Sequence, residues 1–230
     1  MLACRAGRPD ATCVARRGRC LGSIDCVLDD WNGDGSPFVA CAGDSNTMAA
    51  VPLWCALLRA HLDGVVTRSL GWPGTRASDD PGRILGMPLS SHYYLERMLA
   101  GWRPRPDIVV LAWGTNDVLV HTPKEIVAAI ESLVVWMRRA GIVPLVASVP
   151  RRFDGVATWD AAIASINAQL AARYGPCLID FTTITPPSAE WYVNVRHLNG
   201  AAQERRAIAV AQALGSIPRW CAFGEIPLGG

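Results

Sequence analysis

The feature that most constrains the fold is the alternation of short apolar runs with amphipathic segments of helical length. Buried strands are predicted over five runs: 38–42, 65–70, 107–113, 142–149 and 177–181. Between them, apolar residues recur at helical spacing, as in Ile126, Ile130 and Met137. Strands that alternate with helices pair in parallel under helices on both faces, so the pattern predicts an α/β three-layer sandwich with a five-stranded parallel sheet. The flavodoxin-like order 2-1-3-4-5 would place the first and third strands side by side.

Local signals mark the ends of some helices. Thr122 is a candidate N-cap, Pro123 occupies the first turn, and Glu125 follows three residues after the cap. This combination predicts a helix start, and Gly141 is the predicted end of that helix. A further helix is predicted over residues 49–62, directly after the loop that follows the first strand.

Polar loops follow the first and third predicted strands. Gly43-Asp44-Ser45 comes after residues 38–42, and Gly114-Thr115-Asn116-Asp117 comes after residues 107–113. In an open parallel sheet, the loops at the carboxyl ends of neighbouring strands converge on one crevice. The hydroxyl of Ser45 and the side-chain amide of Asn116 are therefore expected on the same rim, and His197 is the candidate base. A hydroxyl, an imidazole and a fixed amide donor are the groups that acyl transfer requires.

Four blocks, in this order along the chain, resemble those of the SGNH hydrolases, also called the GDSL esterase/lipase family. The blocks are Gly43-Asp44-Ser45-Asn46-Thr47, Leu70-Gly71-Trp72-Pro73-Gly74-Thr75, Gly114-Thr115-Asn116-Asp117 and Asn194-Val195-Arg196-His197. The resemblance extends from about Pro37 to Gly215. It implies that Ser45 is the nucleophile and His197 the base. It also implies an oxyanion hole built from the amides of Ser45 and Gly74 and the side chain of Asn116.

The fourth block departs from the family pattern, which has aspartate where this chain has Asn194. An aspartate would set the tautomer of His197 and stabilise the imidazolium that forms during catalysis. Three alternatives follow. His197 works in a dyad with Ser45 and a backbone carbonyl orients the ring, or another carboxylate (Glu190 or Asp180) replaces the aspartate, or the site is much weakened.

The resemblance implies a serine esterase that hydrolyses carboxylic esters, small-acyl or carbohydrate O-acyl esters, through a Ser45 acyl-enzyme and without a cofactor or metal. One alternative is an O-acyltransferase, in which a sugar hydroxyl replaces water. The other is a catalytically weakened carbohydrate-binding domain. The motifs Gly-x-Ser-x-Gly, His-Glu-x-x-His and Gly-x-Gly-x-x-Gly are absent from the sequence, which disfavours other mechanisms.

Four further residues within or next to the blocks are assigned to substrate binding: Asp44, Trp72, Trp113 and Trp191. Aromatic faces suit apolar groups and sugars, so the tryptophans are candidates for a wall of the site. Core packing is the alternative for the tryptophans. Local hydrogen bonds that hold a loop are the alternative for Asp44, and for Asp117 they are the expected role.

The cysteines divide the chain into a cysteine-rich N-terminal extension, residues 1–36, and a catalytic domain, residues 37–230. The first region holds Cys4, Cys13, Cys20 and Cys26, and the second holds Cys41, Cys55, Cys177 and Cys221. This crowding indicates disulfides and hence a secreted or periplasmic protein, although no signal peptide is visible. Reduced, buried thiols are the alternative, and this alternative fits Cys41 and Cys55 better than the N-terminal four.

Charge and hydropathy exclude several partners. A net charge of +2 predicts no attraction to nucleic acid, and no apolar run approaches the roughly 20 residues of a membrane span. The expected partner is a small-molecule or carbohydrate ester. One possible metal site begins at Asp30, where Asp30, Asn32 and Asp34 match the opening of a calcium loop. Its twelfth position is Cys41 instead of glutamate, and a polar turn is the alternative.

Overall fold

The structure is a computed structural model that describes residues 3–4, 26–27, 30, 32–48, 53–62, 64–84, 86–152 and 155–216. The strands are β1 (Ala3–Cys4), β2 (Cys26–Val27), β3 (Phe38–Met48), β4 (Val66–Gly71), β5 (Arg83–Ile84), β6 (Met87–Pro88), β7 (Ile108–Ala112), β8 (Val143–Ala147) and β9 (Leu178–Ile179). The α-helices are α1 (Trp54–Leu58), α2 (Ser91–Gly101), α3 (Pro123–Arg139), α4 (Ala157–Tyr174), α5 (Phe181–Ile184) and α6 (Gly200–Ser216). Two 3₁₀ turns cover Asp117–Leu119 and Gly175–Cys177.

The central sheet has five parallel strands in the order β4-β3-β7-β8-β9. Numbered along the chain, this is the predicted order 2-1-3-4-5, which is thereby confirmed. Each connection between consecutive strands contains a helix, as a parallel pairing requires. The order brings the carboxyl ends of β3 and β7 together at the centre of the sheet, where the direction of strand addition reverses.

Helices cover both faces of the sheet. All five residues of β8 are buried, and successive side chains of a strand point to opposite faces, so neither face is open to water. The α1 helix packs on α6, and α3 packs on α4. The apolar side of α3, which includes Ile126, Ile130 and Met137, is buried as its spacing predicts.

The predicted start of α3 is confirmed by a capping box. The Thr122 hydroxyl accepts a hydrogen bond from the Glu125 amide at 3.4 Å, and the Glu125 carboxylate accepts from the Thr122 amide at 2.8 Å. Two amides that lack partners inside the helix are satisfied in this way. The helix ends at Arg139, and Gly141 adopts φ +74°, a conformation that favours glycine over other residues.

The predicted helix over residues 49–62 is shorter than expected, because only half of the residues that the structure describes there are helical. Only α1 is helical, and the chain after Gly43 stays extended to Met48. Gly43 and Met48 both pair with Gly71 of β4, so residues 44–47 bulge out between two pairings with one residue. This bulge lifts Ser45 away from the plane of the sheet.

A disulfide joins Cys41 of β3 to Cys55 of α1, with Cα atoms 5.9 Å apart. Both residues are buried. The alternative of reduced, buried thiols is therefore wrong for this pair. The sequence alone could not show that α1 folds back over β3 and brings the two cysteines together. Cys177 is disulfide-bonded as well. The predicted bridges of the N-terminal extension lie outside the side chains that the structure describes.

Candidate active site

Ser45 and His197 meet at the carboxyl end of the sheet. The Ser45 Oγ lies 3.0 Å from the His197 Nε2, although 152 residues separate them along the chain. Asn46 holds the histidine loop in place, because its side chain donates to the carbonyl of Arg196 at 3.2 Å and accepts from the amide of Leu198 at 3.4 Å. The residue after the candidate nucleophile thus positions the candidate base from both sides.

Gly74 and Asn116 lie on two loops that contact each other, those of the second and third blocks. The Thr75 amide donates to the Trp72 carbonyl at 3.3 Å, with Pro73 and Gly74 at the central positions of the turn. Gly74 has φ +78°, which a type II turn requires at its third residue. The Asn116 Nδ2 donates to the Thr75 carbonyl at 3.1 Å, so the two loops are joined directly.

Thr75, which the sequence analysis did not single out, connects three of the four blocks. It is fully buried, and its Oγ1 lies 2.8 Å from the carbonyl oxygen of Trp72 and 3.2 Å from that of Gly43. The same hydroxyl accepts from the indole Nε1 of Trp113 at 3.0 Å. Its position within the second block was the only sequence signal for this role.

Asp117 joins the loop of the third block to the chain that follows the second block by hydrogen bonds. Its buried carboxylate accepts from the amides of Ala77 at 3.0 Å and Ser78 at 3.1 Å. It holds a loop as expected, but through partners 40 and 39 residues away and not through the local hydrogen bonds that the sequence predicted. Burial raises the pKa of Asp117. The Ser78 hydroxyl also lies 3.0 Å from the His121 Nε2, which makes a second serine–histidine contact beside the loop.

Asp44 faces the interior and not the crevice. It is 1% exposed, and its Oδ1 accepts from the Asn46 amide at 2.9 Å. Burial raises the pKa of Asp44 to about 6, and the hydrogen bonds from Asn46 and Thr115 and the buried guanidinium of Arg206 partly offset this rise. The carboxylate supports the bulge that carries Ser45, as in the loop-holding alternative, and the substrate-binding role of Asp44 stays a prediction. Arg206, which no sequence signal marked, lies 3.0 Å from the Thr185 hydroxyl and 4.4 Å from the Phe181 ring.

The three tryptophans occupy different environments. Trp72 is 39% exposed and stacks on Tyr94 with ring centroids 5.9 Å apart. Trp191 is half-buried, and the Arg205 guanidinium covers its ring at 4.6 Å. Trp113 is 2% exposed and donates to Thr75, so it supports the loops from below and is not a wall of the crevice.

Asn194 contacts the candidate base directly. Its Oδ1 accepts from the amides of Arg196 at 3.0 Å and His197 at 2.9 Å, and its Nδ2 lies 3.0 Å from the His197 Nδ1. Burial and then the charge of Arg196 lower the pKa of His197.

No carboxylate replaces the missing aspartate in the part of the chain that the structure describes. None lies within hydrogen-bond distance of His197. The Asp180 carboxylate instead caps α5 and accepts from Ser148 at 3.0 Å. The Glu190 carbonyl accepts from the side chain of Asn199, and its carboxylate makes no contact with His197. Both carboxylate alternatives for orienting the ring are therefore wrong.

The segment with calcium-loop character forms a polar turn. The Asp30 Oδ1 accepts from the amides of Gly33 at 2.9 Å and Asp34 at 3.1 Å, so it is directed at the backbone of its own turn. The backbone N–H of Asn32 donates to the carboxylate of Asp107 at 2.9 Å and thereby attaches the turn to the residue before β7. Within the described ranges, no group of three or more His, Cys, Asp or Glu side chains is arranged to hold a metal ion.

A parallel α/β sheet with a serine and a histidine in contact at its topological switch point is an arrangement typical of serine hydrolases. A family model extends this conclusion, because the GDSL-like lipase/acylhydrolase family matches residues 38–205, well over half of the chain. The chain belongs to this family. No curated protein matches the sequence.

Solved structures share the fold at low sequence identity. An aryl esterase from M. smegmatis is 21% identical, with a TM-score of 0.63 and coverage of 80% of this chain and 100% of its own. A lipolytic protein of the G-D-S-L family from Veillonella parvula is 18% identical, with a TM-score of 0.61 and coverage of 77% and 97%. A carbohydrate acetylesterase family member from Sinorhizobium meliloti is 22% identical, with a TM-score of 0.56 and coverage of 78% and 100%. Over the described residues, no helix has the length and apolar character needed to cross a bilayer.

Proposed function

We propose that this protein is a serine esterase that hydrolyses carboxylic esters through an acyl-enzyme on Ser45. The observation that carries the proposal is the contact of 3.0 Å between the Ser45 Oγ and the His197 Nε2 at the carboxyl end of the sheet. In the reaction, the Nε2 removes the hydroxyl proton as the oxygen attacks the ester carbonyl. The resulting imidazolium then returns this proton to the leaving alcohol. Water attacks the acyl-enzyme by the same route, which releases the acid and restores Ser45.

Three donors are proposed for the oxyanion of the tetrahedral intermediate: the amides of Ser45 and Gly74 and the side chain of Asn116. A side-chain amide carries two N–H groups, and Asn116 uses one of them on the Thr75 carbonyl at 3.1 Å. The second remains for the oxyanion. The bond to Thr75 therefore orients Asn116 before the substrate arrives, which is the pre-organisation that such a donor needs.

The surroundings of the crevice support an ester with an apolar part. The described residues include seven exposed large apolar side chains. Five of them lie within four residues of a candidate site residue along the chain: Trp72, Leu119, Val120, Val193 and Val195. A sixth, Ile84, lies beside Gly74. Exposed apolar side chains next to candidate site residues support contact with an apolar part of the ligand. Small-acyl esters and O-acylated carbohydrates both present such a group, and Trp72 provides an aromatic face for either.

Two alternatives share the same site. An O-acyltransferase would use the same acyl-enzyme with a sugar hydroxyl as acceptor. Product analysis with candidate sugars distinguishes it from the esterase. A weakened carbohydrate-binding domain is favoured by one observation, the presence of Asn194 beside His197. Sugar binding without turnover would identify this domain.

An exported protein is part of the proposal. The Cys41–Cys55 disulfide lies in the core of the domain, where both residues are buried. Disulfides of this kind form and persist in oxidising compartments, which supports a secreted or periplasmic location.

The decisive experiment compares hydrolysis of p-nitrophenyl acetate by the purified protein and by its Ser45→Ala variant. Ser78→Ala is the matched control, since Ser78 also lies 3.0 Å from a histidine nitrogen. We expect loss of turnover with Ser45→Ala and retention with Ser78→Ala. Equal activity of the wild type and Ser45→Ala would refute the proposed nucleophile.

A further inference from the structure

The side-chain amide of Asn194 has a defined orientation. Its Oδ1 accepts two backbone hydrogen bonds, from Arg196 at 3.0 Å and from His197 at 2.9 Å. A backbone N–H can only donate, so the oxygen of the amide must be on this side. The reversed amide would place an NH₂ group against two N–H donors, and it would keep only one of the three hydrogen bonds of Asn194. The NH₂ group therefore faces the His197 Nδ1, 3.0 Å away.

This orientation determines which ring nitrogen of His197 carries the proton. The Nδ1 has an N–H donor in front of it and must act as the acceptor. A neutral imidazole has one N–H, which in that case lies on Nε2. The Nε2 is the nitrogen that faces the Ser45 Oγ at 3.0 Å. It consequently donates to the serine oxygen, whereas a general base needs a lone pair at that position.

We propose that Asn194 is a positioning residue that holds His197 in the Nε2–H tautomer and thereby restrains the turnover of this site. This inference rests on the proposed esterase function. To act as a base, His197 must first move its proton to Nδ1, and the Asn194 amide must turn over to accept it. That rotation breaks the bonds to the amides of Arg196 and His197. The imidazolium formed during catalysis meets the same obstacle, because its Nδ1–H would face the NH₂ group.

An aspartate at this position would reverse the preference without changing the backbone. One carboxylate oxygen could accept from the Arg196 and His197 amides, as the Oδ1 of Asn194 does. The other oxygen would accept from the Nδ1–H and leave the Nε2 lone pair directed at Ser45. In a serine protease triad, replacing the aspartate by asparagine lowers kcat by about 10⁴ through the same tautomer effect. We therefore expect Asn194→Asp to raise kcat for p-nitrophenyl acetate by about 10²–10⁴.

The tautomer can be observed without any substrate. Two-bond ¹H–¹⁵N correlation spectra of the ¹⁵N-labelled protein identify the protonated nitrogen of each neutral imidazole, and His197→Gln assigns the signals of His197. We expect Nε2–H in the wild type and Nδ1–H in Asn194→Asp, with His61, His92 and His121 unchanged. Asn194→Ala is the control, since it removes the donor without supplying an acceptor, and it should not reproduce the rise in kcat.

The two readouts separate this inference from the proposed function. Nδ1–H in the wild type would overturn the inference even if the Asn194→Asp variant failed to fold. A switched tautomer with unchanged kcat in an active enzyme would overturn it as well. A switched tautomer in a protein that hydrolyses no ester in either form would support the tautomer assignment and refute the esterase function.

Discussion

The indole of Trp113 donates its N–H to the hydroxyl of Thr75 at a distance of 3.0 Å, and both side chains are buried. Trp113 directly follows β7 and precedes the third block, and Thr75 closes the turn of the second block. The carbonyl of Thr75 in turn accepts from Asn116 at 3.1 Å. Thr75 therefore helps to hold together the loops that carry Gly74 and Asn116, two of the three proposed oxyanion donors.

Replacing Thr75 by valine tests this connection. Thr75→Val keeps the shape of the side chain but leaves the buried Trp113 Nε1 without an acceptor, which costs about 1–3 kcal/mol of stability. We expect a lower midpoint of urea unfolding and a lower kcat with little change in KM, because the donors lose their alignment. The exposed Thr158→Val is the control and should change neither quantity. A kcat equal to that of the wild type would contradict the role of Thr75.

Asn116→Ala should damage turnover more than substrate binding. The amide is proposed to contact the oxyanion of the tetrahedral intermediate, a charge that the substrate does not yet carry. Removal of one such donor lowers kcat by about 10²–10³. Steady-state kinetics with p-nitrophenyl acetate measure the effect, and a thermal melt shows whether loss of the bond to Thr75 also destabilises the fold. A change confined to KM would exclude Asn116 as an oxyanion donor.

In the pH profile of kcat/KM, the midpoint of the acid limb should lie below the ordinary pKa of histidine. The pKa of His197 is lowered by burial first and by the charge of Arg196 second. The base must be neutral, so activity is lost only as the pH falls through this lowered pKa. Arg196→Gln removes the nearby charge and should move the acid limb to higher pH. Arg205→Gln, whose guanidinium lies over the Trp191 ring, is the matched charge control and should leave the limb unmoved.

Asp44 makes stability depend on pH. Its pKa is raised from 3.8 to about 6 in the folded state, chiefly by burial. The folded protein therefore binds more protons than the unfolded chain between these values, and its stability falls as the pH rises through this window. A shift of this size corresponds to about 3 kcal/mol. Denaturant unfolding from pH 4 to 7 should show the decline.

The Asp44→Asn variant should reduce this slope without abolishing it. The pKa of Asp117 is also raised by burial, so a second carboxyl contributes in the same direction. Asp79→Asn, at an exposed position, provides the control for the loss of one charge. A slope identical to that of the wild type would show that Asp44 does not titrate in this window.

Much of the fold and of the candidate site was accessible from the sequence. The apolar runs that became β3 and β7, and the polar residues that follow them, are local patterns. Ser45 and Asn116 were predicted on one rim because the flavodoxin-like order, one of the common orders of such alternating chains, places the first and third strands side by side. His197 came from the family resemblance, since nothing in its own neighbourhood distinguishes it from a surface histidine.

The tertiary structure decided where the remaining polar groups point. Asp44 lies within the first block and Trp113 directly before the third, yet both side chains are buried, and a pattern of residue types carries no information on that direction. Thr75 and Arg206 acquire their roles from partners that are distant along the chain.

The amino-acid sequence by itself determined the strand–helix alternation and the position of the candidate nucleophile block after the first strand of the central sheet, because these depend on periodicity and short motifs. Only the tertiary structure decided the Cys41–Cys55 bridge and the orientation of the Asn194 amide. The physical reason is that a hydrogen bond or a disulfide requires two groups at a defined distance and angle. Those distances are established only when the helices have packed on the sheet.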